Sequence, residues 1–453
     1  MASSIDNLIN VAFREGQDLS GFGLKVGGKG DYRPPQFDAE SLKFEYIDAN
    51  ESYGIDLNGS RFLQKLTFAE SQDFTRATAG TFIGSNGLIQ TAAIDAPRFT
   101  HDPVTREVQG LLIEEQRTNL LTYSEQFDNT AWSEVNSTVT PSSELSPKGG
   151  TGAYVLTGDG TAQRSALIVV IPTYNTGDYY SVSIHLKAGT GRYGYLWLGT
   201  MDFGNARIIL DLLTGLVTSV TGTPSYNIIT LNNGWFRVEV SESASTGSSG
   251  KSLFIGVTES PTDVETVTTK SINIWGAQLE EGSSPTSYIP TAGSQVTRAA
   301  DNCSRALGDE FNQDEATVYM DFVAPKEIIG SGLVSIYNTG LGFFASRTFS
   351  ALLGDDGVIY LAVNGDCIDS THPPILGGER VKFAISVNKS GSKIAVNGLV
   401  YNFVQAMPAF VLNYMAVGQF GSSITNGPGS IKDLRFIPSY LTDAELIALT
   451  GGN

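Results

Sequence analysis

Short runs of alternating or continuous apolar residues recur along this chain, and nearly every run ends at Gly, Asn, Asp or Ser. Between about 122 and 296 they read "YYSVSIHLKA", "RYGYLWLGT", "NARIILDLLTG", "WFRVEVSESA", "KSLFIGVTE" and "KSINIWGAQLEEG". A period of two places successive side chains on opposite faces of a strand, and the closing residues tolerate the backbone of tight turns. The pattern therefore predicts short strands joined by turns, packed as a two-sheet sandwich or jelly roll. Fifty glycines and a charged fraction of only 17% point the same way, because they favour turns over helices.

A second block from about 304 to the C-terminus repeats the rhythm in "ATVYMDFVAP", "GLVSIYN", "FSALLGDDGVIYLAVNG", "RVKFAISVNKSGSKIAVNGLVYNF", "NYMAVGQF" and "SIKDLRFIPS". Hairpin turns are expected at 388–393 and at Asn397-Gly398. "LTDAELIAL" predicts a short closing helix with Thr442 as cap and Glu445 completing a capping box. Upstream, 65–121 reads as a small β connecting unit with a hairpin turn at Ser85–Gly87 and another at Asp102-Pro103. Residues 1–64 hold a Gly- and Pro-rich stretch, then a strand alternating through Leu42, Phe44 and Tyr46. That segment is too short for a core of its own and is expected to pack on another chain. At 453 residues the chain exceeds a single core. The expected division is 1–64, 65–121, 122–298 and 304–453, with "VTRAADNCS" as the last linker.

The net charge of −18 argues against a nucleic-acid partner and against docking on anionic lipid. It permits neutral sugars or cations. No apolar run approaches the 18 residues of a membrane span. The N-terminus lacks a basic start followed by an apolar stretch, so cytoplasmic synthesis without a signal peptide is expected. Cys303 and Cys367 are expected as thiols, and three scattered histidines give no zinc spacing.

Tyr193, Tyr195 and Trp197 share one face of a strand, either as a sugar-stacking platform or as one wall of a core. Trp235 and Trp275 sit within apolar patterns and read as core. Asp355 and Asp356 in "LLGDDGVIY", with Asp366 and Asp369 in "VNGDCID", are candidate oxygen ligands for calcium, the one cofactor under consideration. The Asp-Gly pair in the first is equally a turn signal.

One stretch, "LLIEEQRTNLLTYSEQFDNTAWS" at 111–133, passes from apolar strand to charge to aromatic loop. With "FTRATAGTFIGSNGLI" before it and "GAQLEEGSSPTSYIPTAGSQVTRAAD" after, it resembles a recurrent cassette of bacteriophage virion proteins, typically tail fibres or other appendages. Gly110 to Trp132 resembles the way into a carbohydrate-binding-like jelly roll, and Gln278 to Asp301 the exit strand and linker. "RVKFAISVNKSGSKIAVNG" and "IKDLRFIPSYLTDAELIAL" resemble concanavalin A-like lectin and laminin G-like sandwiches. The resemblance spans about residues 74 to 450.

It implies an all-β, multi-domain chain: a small N-terminal anchor, a jelly-roll sandwich and a concanavalin A-like sandwich. The implied role is structural and non-enzymatic, in the virion, displaying lectin-like domains for host-surface glycan binding. The N-terminal segment would dock on other virion proteins, and the assembly would be a homo-oligomer, most simply a trimer. Two rivals are a capsid decoration or collar protein without a receptor, and a polysaccharide depolymerase. The Glu-x-Asp-x-x-Glu strand of the resembling glucanases has no match here, so no catalytic residue is expected. Arg117 with Glu114 or Glu115 is read either as a clamp at the domain junction or as a solvated charge cluster.

Overall fold

A computed structural model describes residues 73–451, apart from 172–173, 200–202, 246–251, 309–310, 326–329, 340–347, 364–365, 370–371, 404–411 and 419–428, together with the strands Leu42–Tyr46 and Ser52–Tyr53. The described chain is all-β and sandwich-like, as the alternation predicts. The closing helix spans Asp443–Thr450, and Thr442 and Glu445 form the expected capping box.

The jelly roll consists of two six-stranded antiparallel sheets. One carries, in order, Ser137–Pro141, Tyr154–Gly158, Ser271–Glu281, Tyr179–Ala188, Trp235–Ser243 and Ser225–Thr230. The other runs Leu216–Thr221, Ala206–Asp211, Tyr193–Leu198, Ser252–Thr258, Ser165–Val170 and Trp132–Val135. Alternate side chains from the two inner faces, among them Leu156, Ile184, Leu196, Ile208, Val238 and Ile255, form one buried core. Trp132 closes one end of it against Phe127, with ring centroids 5.0 Å apart.

The second sandwich is not built from the C-terminal block alone. Asp73–Thr75 pairs with Asn302–Ala306 at the edge of a seven-stranded sheet. Phe99–His101 pairs with Val108–Ile113, which in turn pairs with Gly429–Ile437 in the opposing nine-stranded sheet. Phe99, Leu111 and Ile113 share a core with Phe322, Phe383, Leu434 and Phe436. The segment expected as a separate connecting unit thus supplies strands to both sheets of the C-terminal sandwich. Topologically the jelly roll is an insertion between strands of that sandwich. Strand existence is a local property, whereas partner choice is decided by packing against residues hundreds of positions away.

Leu42–Tyr46 forms as the alternation predicts, and it pairs with Gly429–Ile437 of the same chain. The rest of the expected N-terminal anchor lies outside the described residues. Gly110 fits the close approach of Val108–Ile113 to its neighbour. Its φ is +107°, and an added Cβ would collide with the Ile431 carbonyl oxygen.

Candidate functional site at the domain junction

The chain enters the jelly roll through Arg117–Asn119 and leaves through Val296–Arg298, and these two strands pair antiparallel, Arg117 opposite Arg298. Behind this pair lies a buried ionic lock. Arg76 Nη1 reaches Asp301 Oδ1 at 3.1 Å, and Arg98 Nη2 bonds the other oxygen, Oδ2. Arg98 Nη1 is 2.7 Å from Glu114 Oε2, and Arg298 Nη2 lies 3.6 Å from the same oxygen. Ser287 donates to Glu114 from its backbone N–H (2.8 Å) and its hydroxyl (2.6 Å). The Glu114 N–H donates to Asp301 Oδ2 at 2.9 Å.

Burial alone would raise the Glu114 carboxyl. The charges of Arg298 and Arg98, with the Ser287 bonds, outweigh it and hold the group far below the usual carboxylate range. Arg117 pairs with Glu115 at 2.8 Å, half-buried, and donates to the Glu281 carbonyl. Of the two clamps read from the sequence, Arg117–Glu115 forms, while Glu114 belongs to Arg98 and Arg298.

In front of the lock a cleft of about 390 Å³ opens between the jelly roll and the C-terminal sandwich. Thr100–Asp102, Glu115 and Arg117 line one side, and Val323–Pro325 and Ser430 another. The jelly-roll sheet supplies His185, Arg237 and Glu239 from its outer, polar face. His185 stands directly opposite Arg237 across the strand pair. A β-bulge separates Ser183 from His185 against Ser271–Glu281, and Gly276 there takes a φ of +62°. Bulges of this kind re-aim a side chain.

His185 is 1% exposed. Its Nδ1 lies 3.1 Å from the Trp275 carbonyl and 3.2 Å from that of Gly276. Two acceptors at that edge assign the proton to Nδ1. Nε2, which then carries only a lone pair, has no hydrogen-bond partner among the described residues. Burial, reinforced by the Arg237 charge, pushes the imidazole down to about 3, so it is neutral at physiological pH. Arg237 donates to the Thr286 carbonyl (2.6 Å) and the Ser183 hydroxyl (3.1 Å), and its Nε lies 3.2 Å from Glu239 Oε1. Asn227 donates to Glu239 Oε2 at 2.8 Å. The cleft thus combines a strong acceptor, a held guanidinium and a held carboxylate with apolar walls, which suits hydrogen-bonding small molecules.

Tyr193, Tyr195 and Trp197 do share one face, on the outer side of the other jelly-roll sheet, away from this cleft. Tyr195 is 0% exposed and donates to the Ser165 carbonyl at 3.2 Å. Trp197 is 8% exposed, stacked on Phe254 at 4.8 Å, with the Arg207 and Arg164 guanidiniums 5.1 and 5.4 Å from its ring. Tyr193 is half-buried beside Arg192. The faces that a pyranose would stack on are therefore occupied by protein groups.

Asp355 and Asp356 lie in the turn between Thr348–Leu353 and Ile359–Val363. Asp356 accepts from the Val358 N–H (3.0 Å) and the Tyr360 hydroxyl (2.6 Å), so both its oxygens already serve the turn. Asp366–Asp369 forms the next strand, and the side chains of Asp366 and Asp369 lie outside the described residues. Among the described residues, no three His, Cys, Asp or Glu side chains converge as a metal site.

Trp235 and Trp275 are buried as expected, in a cluster with Ile89 and Tyr288 at the junction rather than between the two sheets. Cys303 is a buried thiol, and burial raises its pKa. The Cys367 side chain lies outside the described residues. Sequence reasoning missed His185, Arg237 and Glu239. The available signal was the polar half of the alternation in "SVSIHLK" and "WFRVEVS", which marks a second face needing a cover of its own.

No protein-family model matches the chain, and no curated protein matches it. Among solved structures, the CBM40 domain of the Ruminococcus gnavus IT-sialidase, bound to alpha2,3 sialyllactose, is similar at 19% identity. That likeness covers 31% of this chain and 84% of that one, with a TM-score of 0.27. Domain 4 of AbnA, a GH43 extracellular arabinanase from Geobacillus stearothermophilus in complex with arabinotriose, is similar at 15% identity over 33% of this chain and 73% of its own, with a TM-score of 0.26. Domains LG4-5 of the mouse laminin alpha1 chain are similar at 14% identity over 61% of this chain and 85% of theirs, with a TM-score of 0.22. Scores this low leave function to be argued from the site itself.

Proposed function

We propose that this chain is a structural component of a bacteriophage particle, a tail fibre or similar appendage, that binds host-surface glycans non-covalently at the junction cleft. The observation that carries the glycan reading is the cleft of about 390 Å³ with a buried, unpartnered imidazole acceptor on its wall. Its size falls within the roughly 300–1,000 Å³ of small-ligand pockets. The virion reading rests on the cassette. Arg76, Glu114, Arg298 and Asp301 fall in segments resembling it, and together with Arg98 they form the lock that mounts the inserted jelly roll. A single small site binds weakly, so display in several copies on a homo-oligomer, with the part of 1–64 before the strand Leu42–Tyr46 docked on other virion proteins, supplies avidity.

A glycan array probed with the intact oligomer tests the reading. Selective signal on surface glycans of the host, with no release of reducing ends, is expected. Silence on every host glycan contradicts it, and released reducing sugar would move the chain to the depolymerases.

A further inference from the structure

The cleft carries enough chemistry to say which glycans it takes, given that it is the glycan site. Four carboxylates line it (Asp102, Glu114, Glu115 and Glu239) against two guanidiniums (Arg117 and Arg237). Both guanidiniums are already paired with acids of the same lining: Arg117 with Glu115 at 2.8 Å and Arg237 with Glu239 at 3.2 Å. Glu114 is itself held by Arg98 and Arg298 behind the cleft, so an entering carboxylate, sulfate or phosphate would shed its water to meet charges already paired and no unpaired cation of the lining. An uncharged hydroxyl meets the opposite situation. His185 Nε2 is a buried acceptor without a partner among the described residues, and the ring's proton is committed at Nδ1 to two backbone carbonyls.

We propose that the cleft is a neutral-sugar site, in which a hydroxyl at the inner end of an uncharged glycan donates to His185 Nε2. Sialylated, uronic and sulfated glycans are excluded because every guanidinium of the lining already has an acidic partner to hold it. Arg237 donates to Thr286 and Ser183, and its charge is met by Glu239 at 3.2 Å, a charge contact without a hydrogen bond.

The test uses the full-length chain carrying ¹⁵N-labelled histidine, with the His185 resonances identified by their loss in H185Q. Neutral oligosaccharides are titrated beside matched sialylated and uronic ones, and affinities are measured by calorimetry. The expected result is an upfield movement of the unprotonated Nε2 resonance on neutral glycan, and at least tenfold weaker binding of each charged counterpart. H185F, which removes the acceptor, should weaken neutral-glycan binding about tenfold. Charged glycans binding as well as neutral ones overturns the inference. So does neutral binding that leaves the His185 resonance unmoved, a readout independent of whether H185F folds. In both outcomes glycan binding itself still stands. Binding of neither class removes the glycan reading, and the inference with it.

Discussion

Asp301 sits at the end of what reads in sequence as a linker, yet its carboxylate serves two guanidiniums and a backbone amide, fully buried. Removing one member of a buried ionic set strands the others without solvation. Asp301→Asn should therefore cost about 3–5 kcal/mol, read as a lowered urea midpoint at unchanged slope. His185 makes a pH prediction. The fold keeps its imidazole neutral down to about pH 3, whereas the unfolded chain takes up a proton near 6.5. Between those values the unfolded state binds more protons, so this contribution to stability is intact above 6.5 and is lost as the pH falls. Glu280, whose carboxyl burial raises, pulls the other way, because the fold holds its proton to higher pH than the unfolded chain does. Comparing wild type with H185Q isolates the histidine. The stability of wild type relative to H185Q should fall by on the order of 3 kcal/mol between about pH 7 and 4. A gap that does not change with pH would show an ordinary histidine. The individual charges were visible in the sequence. Their meeting was not, since Arg76 and Asp301 are 225 positions apart and composition alone allows any of several acids as the partner.

Elements were the most legible level. The strand Leu42–Tyr46, the hairpin turn at Asn397-Gly398 and the capped helix Asp443–Thr450 follow from alternation, a turn pair and a capping box, all signals within a few residues. Pairing was illegible, because the same alternation suits any neighbour in register. Gly110 marks the hidden contact: Gly110→Ala meets both a left-handed φ and the Ile431 carbonyl, and should cost about 2–3 kcal/mol. Gly150→Ala, with open space around its Cβ position, should stay within about 0.5 kcal/mol of wild type. Thermal melts of the two variants side by side check this, and equal losses would put Val108–Ile113 elsewhere than against Gly429–Ile437.

For the whole molecule, the insertion topology separates what folds alone from what does not. The jelly roll owns a complete core, while the C-terminal sandwich borrows Phe99, Leu111 and Ile113 from upstream of it. A fragment of residues 117–298 should give a cooperative melt, and one of residues 304–453 should not, both followed by circular dichroism. Sequence reading found the two sandwiches and their charge character. It read the seam at 111–133 as a domain junction but missed that Val108–Ile113 pairs with Gly429–Ile437 and that Glu114 meets Arg98 and Arg298, because chain order hides which strands come together. The junction built there holds the cleft, so the decisive measurement is hydrogen exchange on the intact chain with and without its best-binding neutral glycan. Added protection should appear together around Thr100–Asp102, in Tyr179–Ala188 and Trp235–Ser243 near His185 and Arg237, and across 284–288. Protection confined to Tyr193–Leu198, or found nowhere, would contradict a sugar seated at the junction.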